Sequence, residues 1–553
     1  MTSTLTLVDC TLPLTDGGRG RYAVRIADDR IAEVIPMAEL RSAPGEVFDA
    51  AGRSVLPGFT DAHVHLVESG IELARCDLSS STSRAHALRL VEAYCARSAG
   101  EPWIVGRGWS LDHFSDTGTM LAELDRLTGE RPAYLSNKDG HSAWVNSAAL
   151  RLAGIAAGTP DPAGGRIERG ADGEPIGLLH EGAMLLVADL IPPLDDETRF
   201  RGLLAGQRHF FSLGITGWQE AIVGDFVPTT DVERCYRRAI DSGALLGQVT
   251  GNLWLPRADP AGAVEQLIER RAAFADDERF RASGVKIMYD GVCETLTGAV
   301  SIPYLDGAAE PNRGITFFDP EELAPVVTAL DRAGFDLHAH VIGDRATDEM
   351  LGMLEAAVAG SPVRDRRHQL AHLQVLRPDL IDRMARAGAI ANLQPYWAQA
   401  DAQMTEMTLP FLDPSLHTHQ YAFRSLERAG IPLAFGSDWP VTTPDPFAWI
   451  HVAVNRSYPG DSTGSFLPHE ALSRDSALRA ATSGSAFAVR QEGMRGAIEP
   501  GLLADLAVLD ADLGEVGDGD LHAVRVDATF ARGSLVFERE QSAQASAPER
   551  DRS

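Results

Sequence analysis

Lysine is nearly missing from this chain. Of 50 lysines and arginines in 553 residues, only Lys138 and Lys286 are lysine. Where a plain positive charge suffices the sequence uses arginine, so the two primary amines invite a chemical explanation. Cysteine is also sparse. Cys10, Cys76, Cys95, Cys235 and Cys293 are odd in number, dispersed and without CxxC spacing. That argues against a disulfide framework or a cysteine-rich zinc site and fits a reduced cytoplasm. No run of eighteen apolar residues occurs, so no transmembrane helix is expected. The opening MTSTLTLVDC has neither the basic segment nor the apolar core of a secretion leader and reads as a first strand. Positive charge is outweighed throughout. The net charge of −28 would repel phosphates, which excludes nucleic acid and anionic membranes as partners. A cytoplasmic protein acting on a small molecule is expected.

The length allows one large core plus a smaller domain. Residues 1–57 alternate apolar and polar in short pieces (TLTLVD, YAVRIAD, RIAEVIP, GEVFDA), and the same texture returns at 485–540 in DLAVLDAD, AVRVDATFARG and SLVFERE. Neither half has strands enough to bury a core alone, so one small β-sandwich domain built from both termini is expected. The tail 541–553 is polar and reads as disordered. Between them, residues 58–484 alternate short apolar strands with amphipathic helices. The candidate strands are SVLPGF, GITGWQEAI, LGQVTGNLWL, GVKIMYDG, FDLHAHVIG, HQLAHLQV, AIANLQPYW and PLAFGSDWP. Eight such repeats predict an α/β fold, a (β/α)₈ TIM-type barrel, with a large insertion after strand one at about 70–205. An insertion there is expected to lie over the active face.

The sharpest local signal is PGFTDAHVHL. His63 and His65 are two apart, so on a strand they share a side, and at its C-terminal end they would project into the barrel mouth. Three more polar residues interrupt later strands at their C-terminal ends: His340 in FDLHAH, His372 in QLAH and Asp438 in LAFGSD. Four such interruptions in strand order point to a metal site rather than to satisfied core histidines. Lys286 in GVKIMYDG completes the set. Its amine, once deprotonated, can take up CO₂ to give a carbamate that bridges two cations, which arginine cannot do. The alternative is a lysine in a buried salt bridge. His338 shares a face with His340 and reads as a pocket or supporting residue rather than a ligand.

This pattern resembles the amidohydrolase superfamily: HxH on strand one, Lys on strand four, His on strands five and six, Asp on strand eight. GRGW, DGHSAWVNSAAL, HVIGDRA, LAHLQ, GSDWPV and GLLADLAVLD resemble its family 3 branch over residues 5–535. Within that branch VKIMYDGVCETLTG and ANLQPYW are most similar to N-substituted formamide deformylases. The resemblance implies that His63, His65 and Asp438 hold one divalent metal and that His340 and His372 hold a second. Carbamylated Lys286 would bridge them. Imidazole and carboxylate ligands favour zinc. It further implies hydrolysis of a non-peptide amide by metal-activated hydroxide, with Lys286 and Asp438 catalytic and Asp438 moving the proton. A homodimer is implied by the resemblance alone.

Trp109, Lys138, His141, Tyr289, His338, Tyr396 and Trp397 are candidates for substrate binding, each against a plain packing or structural role. The second HxH, His417 and His419, follows PFLDPS and reads as loop or surface, not a metal site. Asp344 and Arg345 are expected to form a structural pair, and Asp61 to be a turn or helper residue. Other functions remain open at this stage: a hydrolase of a cyclic amide or an N-acyl amino acid, a metal-dependent decarboxylase or isomerase, and a binding scaffold with dead metal chemistry.

Overall fold

The computed structural model describes residues 4–14, 20–109, 120–137, 142–162, 165–225, 231–274, 277–307, 309–401, 403–460 and 464–540. Lys138, His141 and the tail 541–553 lie outside these residues. The chain divides into two compact units, Leu66–Gly206 and the remainder, Met1–His65 with Gln207–Ser553.

The larger unit is organised around eight parallel strands: β1 (Phe59–Val64), β2 (Ile215–Val223), β3 (Gln248–Trp254), β4 (Phe280–Met288), β5 (Asp336–Val341), β6 (Gln369–His372), β7 (Ile390–Leu393) and β8 (Leu433–Phe435). Each pairs with the next in sequence order, from β1 through β8. Most carry a buried apolar run broken by polar residues on one face, as expected of a sheet covered on both sides. In β5 all six residues are buried; Leu337, Ala339 and Val341 alternate with His338 and His340. The register sets Lys286 opposite His338, and His338 opposite Gln369.

The two edges of this sheet meet at the C-terminal ends of the strands. The Asp438 amide donates to the His63 carbonyl at 2.8 Å, and the His65 amide to the Trp439 carbonyl at 3.0 Å. Gly436 permits this approach: a Cβ there would lie 2.5 Å from the His63 amide nitrogen. Closure makes a (β/α)₈ barrel of the sheet, with helices such as Pro320–Arg332, Asp344–Ala359 and Pro378–Ala387 between the strands.

One strand is displaced from its expected place. SVLPGF is not a barrel strand. Val55–Pro57 instead pairs antiparallel with Leu506–Leu509, and β1 begins only at Phe59. Gly58 marks the break, because a Cβ there would stand 2.2 Å from Thr216 Oγ1. Val55–Pro57, Leu506–Leu509, Val526–Ala531 and Ser534–Glu538 form one four-stranded sheet. Thr4–Cys10, Tyr22–Ala27, Arg30–Pro36 and Glu46–Asp49 form another. Leu7, Val24 and Ile26 from the second bury against Leu506, Val508 and Phe530 from the first, so residues from both ends of the chain share one core.

The unit Leu66–Gly206 carries a six-stranded sheet. Trp109 and Trp144 lie in its core with ring centroids 6.3 Å apart, and their indole N–H groups donate to the carbonyls of Leu135 and Met120. Among the described residues no helix is long and apolar enough to cross a membrane.

The N-terminal face of the barrel is held by charge. Asp331, buried at the end of its helix, accepts from Arg364 Nη2 at 2.7 Å and from Arg366 Nε at 2.9 Å. Burial pushes its carboxyl up, but His368, Arg366 and Arg364 outweigh that and hold it well below the usual carboxylate range. The resulting stability is present above about pH 4, the unfolded value, and drains away as the pH falls further. Asp331→Asn is expected to destabilise by on the order of 3 kcal/mol at neutral pH, because it leaves two guanidinium groups short of their counter-charge. Urea unfolding should show that difference shrinking in acid; a gap independent of pH would contradict it. Gly436→Ala is expected to cost about 1–3 kcal/mol, since the added methyl meets backbone rather than a movable side chain. Thermal unfolding compared with an alanine at the open Gly158, whose backbone is not left-handed, checks this.

Candidate metal centre

Four strands, β1, β4, β5 and β6, and the segment after β8 deliver the polar residues to one place. His63 lies within β1 and His65 just beyond it, yet both reach Asp438: their Nε2 atoms are 3.4 and 3.3 Å from Asp438 Oδ1. One ligand atom from each of these three residues lies within 4.8 Å of the others. Among the described residues this is the one such cluster of metal-binding side chains. Lys286 Nζ, buried on β4, stands 3.1 Å from His63 Nε2. His372 packs against His63 and His340, with ring centroids 4.8 and 4.4 Å away. The structure therefore brings His63, His65, Lys286, His340, His372 and Asp438 together.

Backbone conformation at two of these positions is unusual. His372 and Asp438 have φ of 79° and 53°, the left-handed region that side chains other than glycine seldom occupy. Such residues cost of order 1–3 kcal/mol and persist where the surroundings over-determine them, commonly at functional sites. Here the turn out of the strand aims the side chain into the barrel mouth.

Burial governs the electrostatics. It pushes the Lys286 ammonium down to about 8, so an appreciable fraction is neutral amine near neutral pH. Burial and the nearby Lys286 charge hold His63 and His338 well below the ordinary imidazole range and His340 down at about 3; burial and the neighbouring His340 do the same to His372. His65 differs. Burial pushes it down, but the Asp438 carboxylate more than offsets that and raises it. Asp438 is in turn kept ionised by His65 and Lys286 against the opposing effect of burial.

These residues fit a divalent cation. Neutral imidazoles and an ionised carboxylate are the donors such an ion takes. His340 Nε2 lies 3.2 Å from the Gly291 carbonyl, so its proton belongs there and Nδ1 keeps a lone pair. Neither ring nitrogen of buried His372 has a partner of good hydrogen-bond geometry among the described residues; the Gln394 side chain is the polar group that approaches it. A buried imidazole left that way is expensive unless a ligand completes it.

Supporting residues surround the cluster. Asp61 is fully buried and accepts from the His63 amide at 3.1 Å, the Ser437 amide at 3.0 Å and Ser437 Oγ at 2.6 Å, tying β1 to the segment after β8. Burial raises its carboxyl to about 7. Asp290 accepts from the amides of Ala299, Ile342 and Gly343, each at 2.9 Å, and lies 3.7 Å from His340 Nε2. Asp290, Gln369, Asn392 and Ser437 are absent from the sequence reading. Their signal was there to find, since each is a polar residue inside or ending an apolar strand segment.

The remaining candidates fall in different places. Trp397 stacks on His372 with planes 3° apart and centroids 5.1 Å apart, and its indole N–H donates to Thr442. Tyr396 sits beside it with its ring edge-on to Tyr458. Tyr289 is buried with its hydroxyl donating to Glu349 at 2.7 Å. His338 points at His63, with 2.8 Å between Nε2 and Nδ1. Trp109 is enclosed in the core of the other unit. Lys138 and His141 lie outside the described residues. His417 and His419 end a short 3₁₀ turn, Pro414–His419, where His417 Nε2 bonds the Leu412 carbonyl. Asp344 and Arg345 do not pair with each other. Adjacent residues on a helix diverge, so Asp344 takes Ser301 and Arg377 while Arg345 takes Glu349.

The chain is 29% identical to the protein LONG AFTER FAR-RED 3 of Arabidopsis thaliana, over 96% of this chain and 89% of that protein. It is 28% identical to the N-substituted formamide deformylase of Arthrobacter pascens, over 94% of this chain and 95% of that one. Its fold matches the crystal structure of an uncharacterized metal-dependent hydrolase from Pyrococcus furiosus with a TM-score of 0.69, at 23% identity, covering 91% of this chain and 97% of that one. Residues 46–537 match the model of the amidohydrolase family, and the chain belongs to that family.

Proposed function

We propose that this protein is a divalent-metal-dependent hydrolase of a non-peptide carbon–nitrogen bond in a small amide, with zinc as the ion. The observation that carries this reading is the convergence of His63, His65 and Asp438, with ligand atoms within 4.8 Å of one another, beside a buried lysine amine. His63, His65 and Asp438 would hold one ion, and His340 and His372 a second. The Lys286 amine would add CO₂, release a proton and become a carbamate bridging the two. Its burial favours the neutral amine that this addition needs.

A bound ion supplies Lewis acidity, polarising a carbonyl and making water a stronger acid. The chain's own groups do the rest. Asp438, kept ionised, takes a proton from the attacking water at a carboxylate oxygen. It returns that proton to the departing nitrogen as the C–N bond breaks, because an unprotonated amide nitrogen leaves poorly. Trp397, fixed flat against His372, offers an apolar wall for a substituent on the substrate. The similarity to the deformylase over nearly the whole of both chains makes N-substituted formamides the first substrates to test.

Amine and formate release from a panel of formamides, longer N-acyl amines and cyclic amides, with zinc or manganese added, tests the activity. Turnover of formamides is expected, and cleavage of the other amides alone would reject the deformylase reading. Lys286→Arg keeps the charge but cannot form the carbamate. It should lower kcat by at least about 100-fold and reduce bound metal, effects within the range seen when catalytic groups are removed. Metal analysis of the same samples checks the second point, and an arginine variant of full activity would refute the bridging role.

A further inference from the structure

A neutral imidazole carries one proton on either of its nitrogens, and only a bare nitrogen can bind a cation. His63 must therefore keep its proton on Nδ1, since its Nε2 faces Lys286 and Asp438. The polar residues behind it make that choice, and it can be traced from groups whose role is not in doubt.

The Ala488 carbonyl can only accept a hydrogen bond. It takes one from Gln369 Nε2 at 3.0 Å, which turns the amide so that Oε1 points the other way. Asn392 is fixed likewise: its Nδ2 donates to the Ala62 carbonyl at 2.8 Å and to Gln369 Oε1 at 2.8 Å. Gln369 Oε1 also lies 3.1 Å from His338 Nδ1. An amide oxygen cannot donate, so the proton is on His338 Nδ1. With both buried rings neutral, His338 Nε2 is then a bare acceptor, 2.8 Å from His63 Nδ1. His63 Nδ1 must donate to it, and Nε2 is left unprotonated. That lone pair faces Lys286 Nζ at 3.1 Å and Asp438 Oδ1 at 3.4 Å, so it is held for a positive partner, an ammonium or a metal ion.

We infer that Gln369 and His338 form a tautomer relay that holds His63 ready for the metal. Both are positioning residues, acting through His63 rather than on substrate. The relay rests on the metal-centre reading above and assigns His338 a task other than substrate binding. The same three side chains also cross the barrel, from β1 through β5 to β6, so they set ring orientation as well as protonation.

The test uses the full chain stripped of metal and titrated with zinc against a fluorescent chelator. His338→Leu removes the acceptor, and zinc affinity should fall by about 10–100-fold, the range for losing a partner that orients a ligand. His338→Gln keeps an acceptor oxygen and should recover most of the loss; thermal unfolding of the metal-free variants accompanies the titrations. Wild-type affinity in His338→Leu would overturn the relay, as would equal losses in both variants. A wild-type chain that binds zinc no better than His63→Ala would overturn the metal-centre reading itself, and the relay with it. Nitrogen NMR of histidine-labelled, metal-free wild type, with His63 assigned by its loss in His63→Asn, reads the tautomer without relying on a folded variant. A proton on Nδ1 is expected, and one on Nε2 would overturn the relay.

Discussion

The seam between the first and last strands carries more of this structure than its size suggests. At that seam the Asp438 amide donates to the His63 carbonyl, and the Asp61 carboxylate gathers the His63 amide together with the amide and hydroxyl of Ser437. These bonds bring together two residues 375 positions apart in sequence and fix the distance between their side chains. They also explain why Gly436 must be small and why a carboxylate is buried at Asp61, where burial raises it to about 7. A site spread over the two edges of one sheet exists only if those edges meet. Barrel closure and assembly of the centre are one event.

Concentrating polar groups in a dry barrel mouth is otherwise unfavourable. Each imidazole, amine and carboxylate gives up hydration and must regain it as hydrogen bonds or as a ligand. His63 and His338 regain it from each other and from Gln369, and His340 from the Gly291 carbonyl. His372 does not, which places it among groups arranged for something to be bound. The left-handed backbone at His372 and Asp438 fits the same picture, since local strain survives where tertiary contacts hold it.

The opposite end of the barrel answers a different need. Asp331 and Asp336 collect arginines from the segment before β6 and from Arg490, a network that fixes strand positions without touching the mouth. Stability is gathered at the N-terminal face and chemistry at the C-terminal face, the usual division of labour in this fold.

Much of this was legible in the residues alone. The eight βα repeats, the polar interruptions at strand ends and the scarcity of lysine around Lys286 follow from periodicity and side-chain chemistry, which are local. Those signals named six residues that the structure brings together and the fold that holds them. They could not place the first strand, because VLP and FTDAHV are both good strands and are told apart only by their partners, Leu506–Leu509 for one and β2 for the other. Nor could they place Trp109 in another unit's core, send Asp344 and Arg345 to different partners, or reveal that His338 bonds His63. Those outcomes depend on which strands lie side by side and in what register. Sequence determined which groups the site would contain; the closed sheet decided their distances, their protons and their partners.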